Sequence, residues 1–329
     1  MSKNKETNHE KKQQKVDEKR LHKQSENFDE KSSEKNLENE TKKSTNVNSC
    51  HLPNGLKCEP PQDESSSPEN HSIENSDDTG FHEYTAQQMK LDEIPDKILK
   101  IPDLRHLNLQ RNHIRSMELL SVMKTLEKVD LADNLINEIF QIPNVKSLDL
   151  GYNLIKKIEN LPESLQHLYL MANDITKIEN LPSSLITVDL ACNEIDKIEN
   201  LNHLHNLEEL YLGNNLIEHI CQIGSEDELG SQIELSLKIN QNKNDIITLN
   251  GLEKCHTLSL QGNKLKVVDC AYLPPNLQYL SLSENRELSV LKNLDCLENL
   301  IYLDIWRTEL KIKKEGVEII EDPVTCQMA

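Results

Sequence analysis

Apolar residues return along this chain in a pattern that repeats at a nearly constant interval. Between residues 157 and 201 the sequence reads KIENLPESLQHLYLMANDIT, then KIENLPSSLITVDLACNEID, then KIENL. Each copy contains LxxLxLxxNxI, whose alternating apolar positions predict a short strand with one face in a core. A unit of this length cannot bury its own apolar face, so the copies are expected to stack into a solenoid.

One asparagine follows each predicted strand, where the chain must turn. Its amide can both donate and accept, so stacked asparagines can satisfy buried backbone groups in the turns. We predict this column at Asn112, Asn134, Asn153, Asn173, Asn193, Asn215, Asn263 and Asn285. A less regular copy, IELSLKINQN, is interpreted as a seventh repeat with Asn242, and Thr308 takes the asparagine position in a tenth.

The spacing of these asparagines predicts the other side of the solenoid. Successive steps are short and nearly equal, except for a longer one between Asn215 and Asn242. Such short steps accommodate extended or 3₁₀ return segments rather than full helices. The predicted fold is an α/β solenoid, a curved horseshoe with short parallel strands on its concave face. We expect a disordered polar arm at 1–80, an N-terminal cap at 81–103, about ten repeats at 104–312 and a tail or partial cap at 313–329.

Charge is unevenly distributed. The net charge is −19, of which residues 1–80 carry −4 and residues 81–329 carry −15. An acidic folded part favours a partner with a basic surface and argues against direct nucleic-acid binding. The polar arm contains EKKQQKVDEKR, either a solvated tail or a nuclear-import patch. The longest step contains the acidic segment 221–232, either a tolerated surface loop or a binding loop.

Other sequence features favour an intracellular chain. No apolar leader follows the first residues, and no window has the length of apolar sequence that a membrane span needs. The eight cysteines form no CxxC pair and are expected to be free thiols. We therefore expect a monomer in the cytoplasm, the nucleus or both, with no membrane association.

The middle residue of each LxL points away from the core and forms a row across the sheet. That row reads Asn108, Asp130, Asp149, Tyr169, Asp189, Tyr211, Lys238, Ser259, Ser281 and Asp304. Like charges on neighbouring strands are unfavourable for stability, whereas acids beside tyrosines suit a basic partner. The alternative is that β propensity alone places the aromatics and that the acids only maintain solubility. Flanking rows add His167, Glu209, Met171, Tyr279, Tyr302 and Trp306.

Signals for catalysis are weak. The sequence contains no G-x-S-x-G, P-loop, HExxH or EF-hand pattern, so we expect neither an enzyme nor a cofactor. Asp130 and Asp149 alone would be a poor metal site, because a third ligand is missing. No catalytic and no metal-binding residue is predicted.

The repeated KIENL and LxxLxLxxNxI segments resemble the intracellular class of leucine-rich-repeat proteins with repeats of about 22 residues. Within that class, residues 104–310 are most similar to the leucine-rich-repeat regulatory subunit of protein phosphatase 1. This resemblance implies a noncatalytic module that binds the phosphatase catalytic subunit. The implied contact residues are Asp130, Asp149, Tyr169, Asp189, Tyr211, Asp304 and Trp306. KIENL also fits a structural or adaptor scaffold of cilia or ribonucleoprotein particles, which stays the alternative.

Overall fold

Short parallel strands succeed one another along the chain and join into a sheet of 11 strands. The structure is a computed structural model, and it describes residues 82–220 and 249–321. The strands of this sheet are β1 (His82–Thr85), β2 (Leu104–Asn108), β3 (Lys128–Asp130), β4 (Ser147–Asp149), β5 (His167–Tyr169), β6 (Thr187–Asp189), β7 (Glu209–Tyr211), β8 (Thr257–Ser259), β10 (Tyr279–Ser281), β12 (Tyr302–Asp304) and β13 (Glu318–Ile320). They lie side by side in chain order, as stacked repeats require.

The side of the chain opposite the sheet is built from extended segments and short 3₁₀ helices. These helices are η1 (Asp96–Lys100), η2 (Glu118–Val122), η3 (Cys270–Tyr272) and η4 (Leu294–Cys296). A second sheet of two strands pairs β9 (Val267–Asp269) with β11 (Val290–Lys292). The described residues contain no α-helix. The prediction of a solenoid with parallel strands on one side and extended or 3₁₀ segments on the other is confirmed.

The core is one continuous column of branched aliphatic side chains. In each strand the leucine or valine before the middle LxL residue points inward, as Leu168 and Val188 do with no exposed surface. Apolar residues of the return segments, such as Ile178 and Leu185, close the core from the other side. Because each turn packs mainly on its neighbours, the core adds one layer with each repeat.

The asparagine column links each turn to the one before it. Asn173 is representative: its Nδ2 donates to the carbonyls of Leu150 at 3.0 Å and Leu170 at 3.1 Å. Its Oδ1 accepts from the N–H of Ile155 in the preceding turn at 2.9 Å. The residue before it, Ala172, has a positive φ of 56°, which turns the chain sharply. The same bonds recur at Asn112, Asn134, Asn153, Asn193, Asn215, Asn263 and Asn285.

Thr308 ends this column. Its Oγ1 donates to the carbonyl of Ile305 at 2.7 Å and accepts from the N–H of Leu310 at 3.3 Å. Both bonds lie within its own turn, so threonine reproduces the turn but not the link between turns.

A second column of asparagines explains why KIENL is repeated so closely. Asn160, Asn180 and Asn200 all have left-handed backbones, with φ of 55°, 54° and 57°. Asparagine adopts this region more readily than most residues. Each Nδ2 donates to an isoleucine carbonyl of the preceding turn, at 2.9, 2.8 and 2.7 Å respectively. This second role is not predicted from the repeat pattern, although the asparagine is present in all three copies.

The prediction that a seventh repeat adds a strand between Tyr211 and Ser259 is wrong. β7 pairs directly with β8, and Tyr211 lies opposite Ser259. The N–H of Ile217 also donates to Asn263 at 3.0 Å, so the column passes from Asn215 to Asn263 without Asn242. The segment IELSLKINQN fits the LxLxxN pattern, and Ile220 and Leu249, the described residues on either side of it, are both buried. Asn242, Lys238 and the segment 221–232 lie outside the described residues.

The direct pairing of β7 with β8 predicts which residues between these two strands are an insertion. Removing residues 222–247 would make the step from Asn215 to Asn263 as long as the steps on either side of it in the column. We expect the shortened chain to keep its sheet and to unfold within about 2–4 °C of the parent, because shorter loops cost little entropy. Thermal unfolding followed by circular dichroism measures this. Loss of the cooperative transition would contradict the direct pairing of β7 and β8.

The two ends of the sheet each carry an additional strand. β1 pairs in parallel with β2, within the segment expected to cap the first repeat. β13 pairs with β12, and Ile319 and Ile320 are half-buried there. The predicted disordered arm at 1–80 and residues 322–329 lie outside the described residues. Within 82–220 and 249–321, no helix is long and apolar enough to cross a membrane.

Candidate functional site

The strand register brings the middle LxL residues into one row, here called the central lane. Each residue of the lane lies directly opposite the next on the neighbouring strand. The order is Asn108, Asp130, Asp149, Tyr169, Asp189, Tyr211, Ser259, Ser281 and Asp304. Neighbouring strands are roughly 4.8 Å apart. The predicted contact residues from Asp130 to Tyr211 therefore form an uninterrupted group on five strands.

Each lane aspartate also has a local structural role. One carboxylate oxygen accepts the backbone N–H two residues further along the chain. Asp130 accepts from Ala132 at 3.1 Å, and Asp149 accepts from Gly151 at 2.9 Å. Asp189 accepts from the N–H of Ala191 at 2.9 Å. This bond ends the strand and opens the turn, and it uses only one of the two oxygens.

The carboxylates of the lane are poorly solvated. Burial raises the pKa of Asp149 to about 6, with a further contribution from the charge of Asp130. Burial likewise raises the pKa of Asp189 to about 6, and the charge of Asp149 adds to it. The pKa of Asp130 is also raised, again chiefly by burial. Lys128 opposes these shifts at Asp130 and Asp149, but no cation of the described residues does so at Asp189.

The tyrosines of the lane share this acidic environment. Tyr169 and Tyr211 are half-buried, and burial is the main cause that raises the pKa of both phenols. The charges of Glu209 and Asp189 add to the effect. Both phenols therefore stay neutral and offer aromatic faces beside negative charge, which is the arrangement that attracts cations.

A hydrogen-bonded chain runs beside the lane, in the row two positions earlier on each strand. Thr187 Oγ1 donates to Glu209 at 3.3 Å, and His167 Nδ1 lies 3.2 Å from the same hydroxyl. His167 and Glu209 are predicted beside the lane from the sequence, whereas Thr187, which joins them, is not. Cross-strand pairs of β-branched and polar residues could have indicated this link.

The other two predicted contact residues lie apart from this group. Strands β8 and β10 separate Asp304 from Tyr211, and both contribute buried serines, Ser259 and Ser281. Ser281 Oγ donates to Asp304 Oδ2 at 3.0 Å, so this acid already has a partner. The lane is therefore acidic and aromatic from β3 to β7 and largely neutral beyond.

Trp306 also has a partner of its own. It lies two residues after Asp304, and the guanidinium of Arg307 lies 4.1 Å from the centre of its ring. Arg307 in turn forms an ion pair with Glu284 at 2.8 Å. Nearby, the rings of Tyr279 and Tyr302 are 6.4 Å apart, and Tyr302 is 41% exposed. The structure thus divides the predicted site into an acidic half and a separate aromatic cluster.

The described residues hold no candidate metal centre. Within residues 82–220 and 249–321, no three His, Cys, Asp or Glu side chains are grouped so as to hold a metal ion. Asp130 and Asp149 are neighbours on adjacent strands without a third ligand there.

Comparison with known proteins supports the fold. No protein-family model matches this chain, and no curated protein does. Among solved structures, the leucine-rich-repeat domain of APL1B is similar, with a TM-score of 0.50 and 21% identity over 69% of this chain and 60% of that one. The functional domain of InlJ from Listeria monocytogenes matches with a TM-score of 0.50 and 18% identity, over 73% of this chain and 53% of that one.

These matches show the fold of the chain. The chain spans only 60% and 53% of the two structures. Together with the parallel strands and the asparagine column, they show that the fold is that of a leucine-rich-repeat protein.

Proposed function

We propose that this chain is a noncatalytic interaction protein that binds a basic surface of a protein partner through the central lane from Asp130 to Tyr211. The observation that carries this proposal is the set of adjacent, half-buried acids that the chain's own cations leave largely uncompensated. A basic partner would supply the missing countercharge, and the tyrosines would supply contact area.

The partner that fits best is the catalytic subunit of protein phosphatase 1. This proposal rests on the resemblance of the repeats and on the position of acids and tyrosines at the middle of LxL. The separate cluster around Trp306 would be a second contact region rather than part of the same one.

A binding measurement with the full chain and purified phosphatase catalytic subunit tests this proposal. We expect the double variant Tyr169→Ala/Tyr211→Ala to weaken binding about 100-fold, because central aromatic residues dominate interface energies. Biolayer interferometry at two salt concentrations measures the affinity, which should fall as salt rises. Trp306→Ala, assayed separately, reports whether the aromatic cluster takes part.

Tyr152→Ala is the matched control, because Tyr152 is 55% exposed in a turn outside the strands. Equal binding by the parent and the double variant would exclude the central lane as the contact surface. Capture of cytoskeletal or ribonucleoprotein components instead of the phosphatase would favour the scaffold alternative.

A further inference from the structure

Two tyrosines flank one carboxylate at the most acidic part of the central lane. Asp189 on β6 lies opposite Tyr169 on β5 and opposite Tyr211 on β7. With strands roughly 4.8 Å apart, an aromatic side chain stands on each side of this carboxylate. No other acid of the described lane has a tyrosine on both sides.

Asp189 also has an unused hydrogen-bond acceptor. Its Oδ1 accepts the N–H of Ala191 at 2.9 Å. Its other oxygen has no donor among residues 82–220 and 249–321. By contrast, Asp304 also accepts from Ser281 at 3.0 Å. A half-buried carboxylate with an open oxygen and no neighbouring cation is costly for folding, so it indicates a missing partner group.

Glu209 makes this place more negative without filling it. Its carboxylate accepts a hydrogen bond from Thr187 at 3.3 Å, and it lies on the same strand as Tyr211. Because Glu209 lies on the strand next to Asp189, its charge adds to that of Asp189. Two acids and two tyrosines therefore lie together on β5, β6 and β7.

We propose that Tyr169, Asp189 and Tyr211 form a site for a single arginine side chain of the partner, an inference that rests on the proposed function. A guanidinium is planar and can donate two parallel hydrogen bonds to a carboxylate in its plane. Its two faces remain available for the tyrosine rings. A lysine ammonium is a strongly hydrated point charge and satisfies only the electrostatic part of this site.

The experiment uses the full chain and three labelled peptides of one Gly/Ser background carrying four arginines, four lysines or four citrullines. Fluorescence anisotropy measures their affinities. We expect the arginine peptide to bind several-fold more tightly than the lysine peptide, and the citrulline peptide not to bind. Asp189→Asn should weaken the binding of the arginine peptide about tenfold or more. It should also remove the preference for arginine over lysine.

Two control variants separate this site from general electrostatics. Asp196→Asn removes one charge from an exposed position in the turn after β6 and should leave the arginine preference unchanged. Tyr169→Ala/Tyr211→Ala should remove the preference while leaving part of the charge-dependent binding, whereas Tyr152→Ala should not. Thermal unfolding of each variant verifies that it is folded.

The outcomes distinguish this inference from the proposed function. Equal affinities for arginine and lysine peptides, or an unchanged preference in Asp189→Asn, would overturn the arginine site even if the phosphatase binds the lane. An arginine preference that depends on Asp189, without phosphatase binding, would leave the site standing and reject the proposed partner.

Discussion

Asn173→Ala is expected to lower the free energy of unfolding by about 3 kcal/mol, near the upper end of the range for an unpaired buried N–H. The change leaves the buried N–H of Ile155 without its acceptor at 2.9 Å. The carbonyls of Leu150 and Leu170 each lose one donor but keep a second from Asn153 or Asn193. The two lost donor bonds add to the cost of the unpaired N–H, so the total lies near that upper end.

Urea denaturation followed by far-ultraviolet circular dichroism measures this effect. Asn202→Ala is the matched control, because Asn202 is exposed and has no side-chain hydrogen bond within the described residues. Such surface changes usually alter stability by less than about 0.5 kcal/mol. Equal stability of the two variants would show that the column does not hold the turns together.

Asp149→Asn/Asp189→Asn is expected to stabilise the protein at pH 7 while removing its partner affinity. Burial raises the pKa of both carboxyls to about 6 in the folded chain, above the ordinary value of 3.8. Keeping them ionised at pH 7 therefore costs stability. An asparagine oxygen can still accept the local backbone N–H, as Asn108 does from Gln110 at 3.2 Å. After allowance for solvent screening we expect a gain of about 1 kcal/mol at each position.

The pH dependence has a definite sign. Between about pH 4 and pH 6 the folded parent binds more protons at these carboxyls than the unfolded chain does. Its stability should therefore fall relative to the double variant as pH rises through this window. Urea denaturation of both proteins at pH 4 and pH 7 measures the difference, with Asp196→Asn as the control. A constant difference between parent and double variant would contradict the raised pKa values.

Much of the fold could be predicted because one pattern fixes several levels of structure. The LxL spacing defines the strands, the inward residues and the register, so neighbouring lane residues from Asn108 to Tyr211 lie opposite one another as expected. The asparagine turn repeats at known offsets. These are local properties of one repeat, and each stacked repeat reproduces them.

The sequence does not predict the structure where the repeat pattern is ambiguous or where one residue has two roles. IELSLKINQN satisfies the strand pattern, and only the pairing of β7 with β8 shows that no strand lies between them. The sequence predicts the lane acids as contact residues or as solubilising charges, and it does not reveal that each also accepts a backbone N–H. Likewise, the partners of Trp306 and Asp304 come from side-chain geometry that no spacing rule specifies.

The asparagine column makes the two ends of the solenoid unequal. At the first turn, Asn112 binds the carbonyl of Ala86 and the N–H of Leu91, so the column fastens this end to its neighbour. At the last turn, the side chain of Thr308 forms hydrogen bonds only to backbone groups of its own turn. Local opening should therefore begin at the carboxyl end and proceed inward, while the opposite end stays closed. Tyr302 and Trp306 lie on the turn that opens first, whereas the acids from Asp130 to Asp189 lie on turns fastened on both sides.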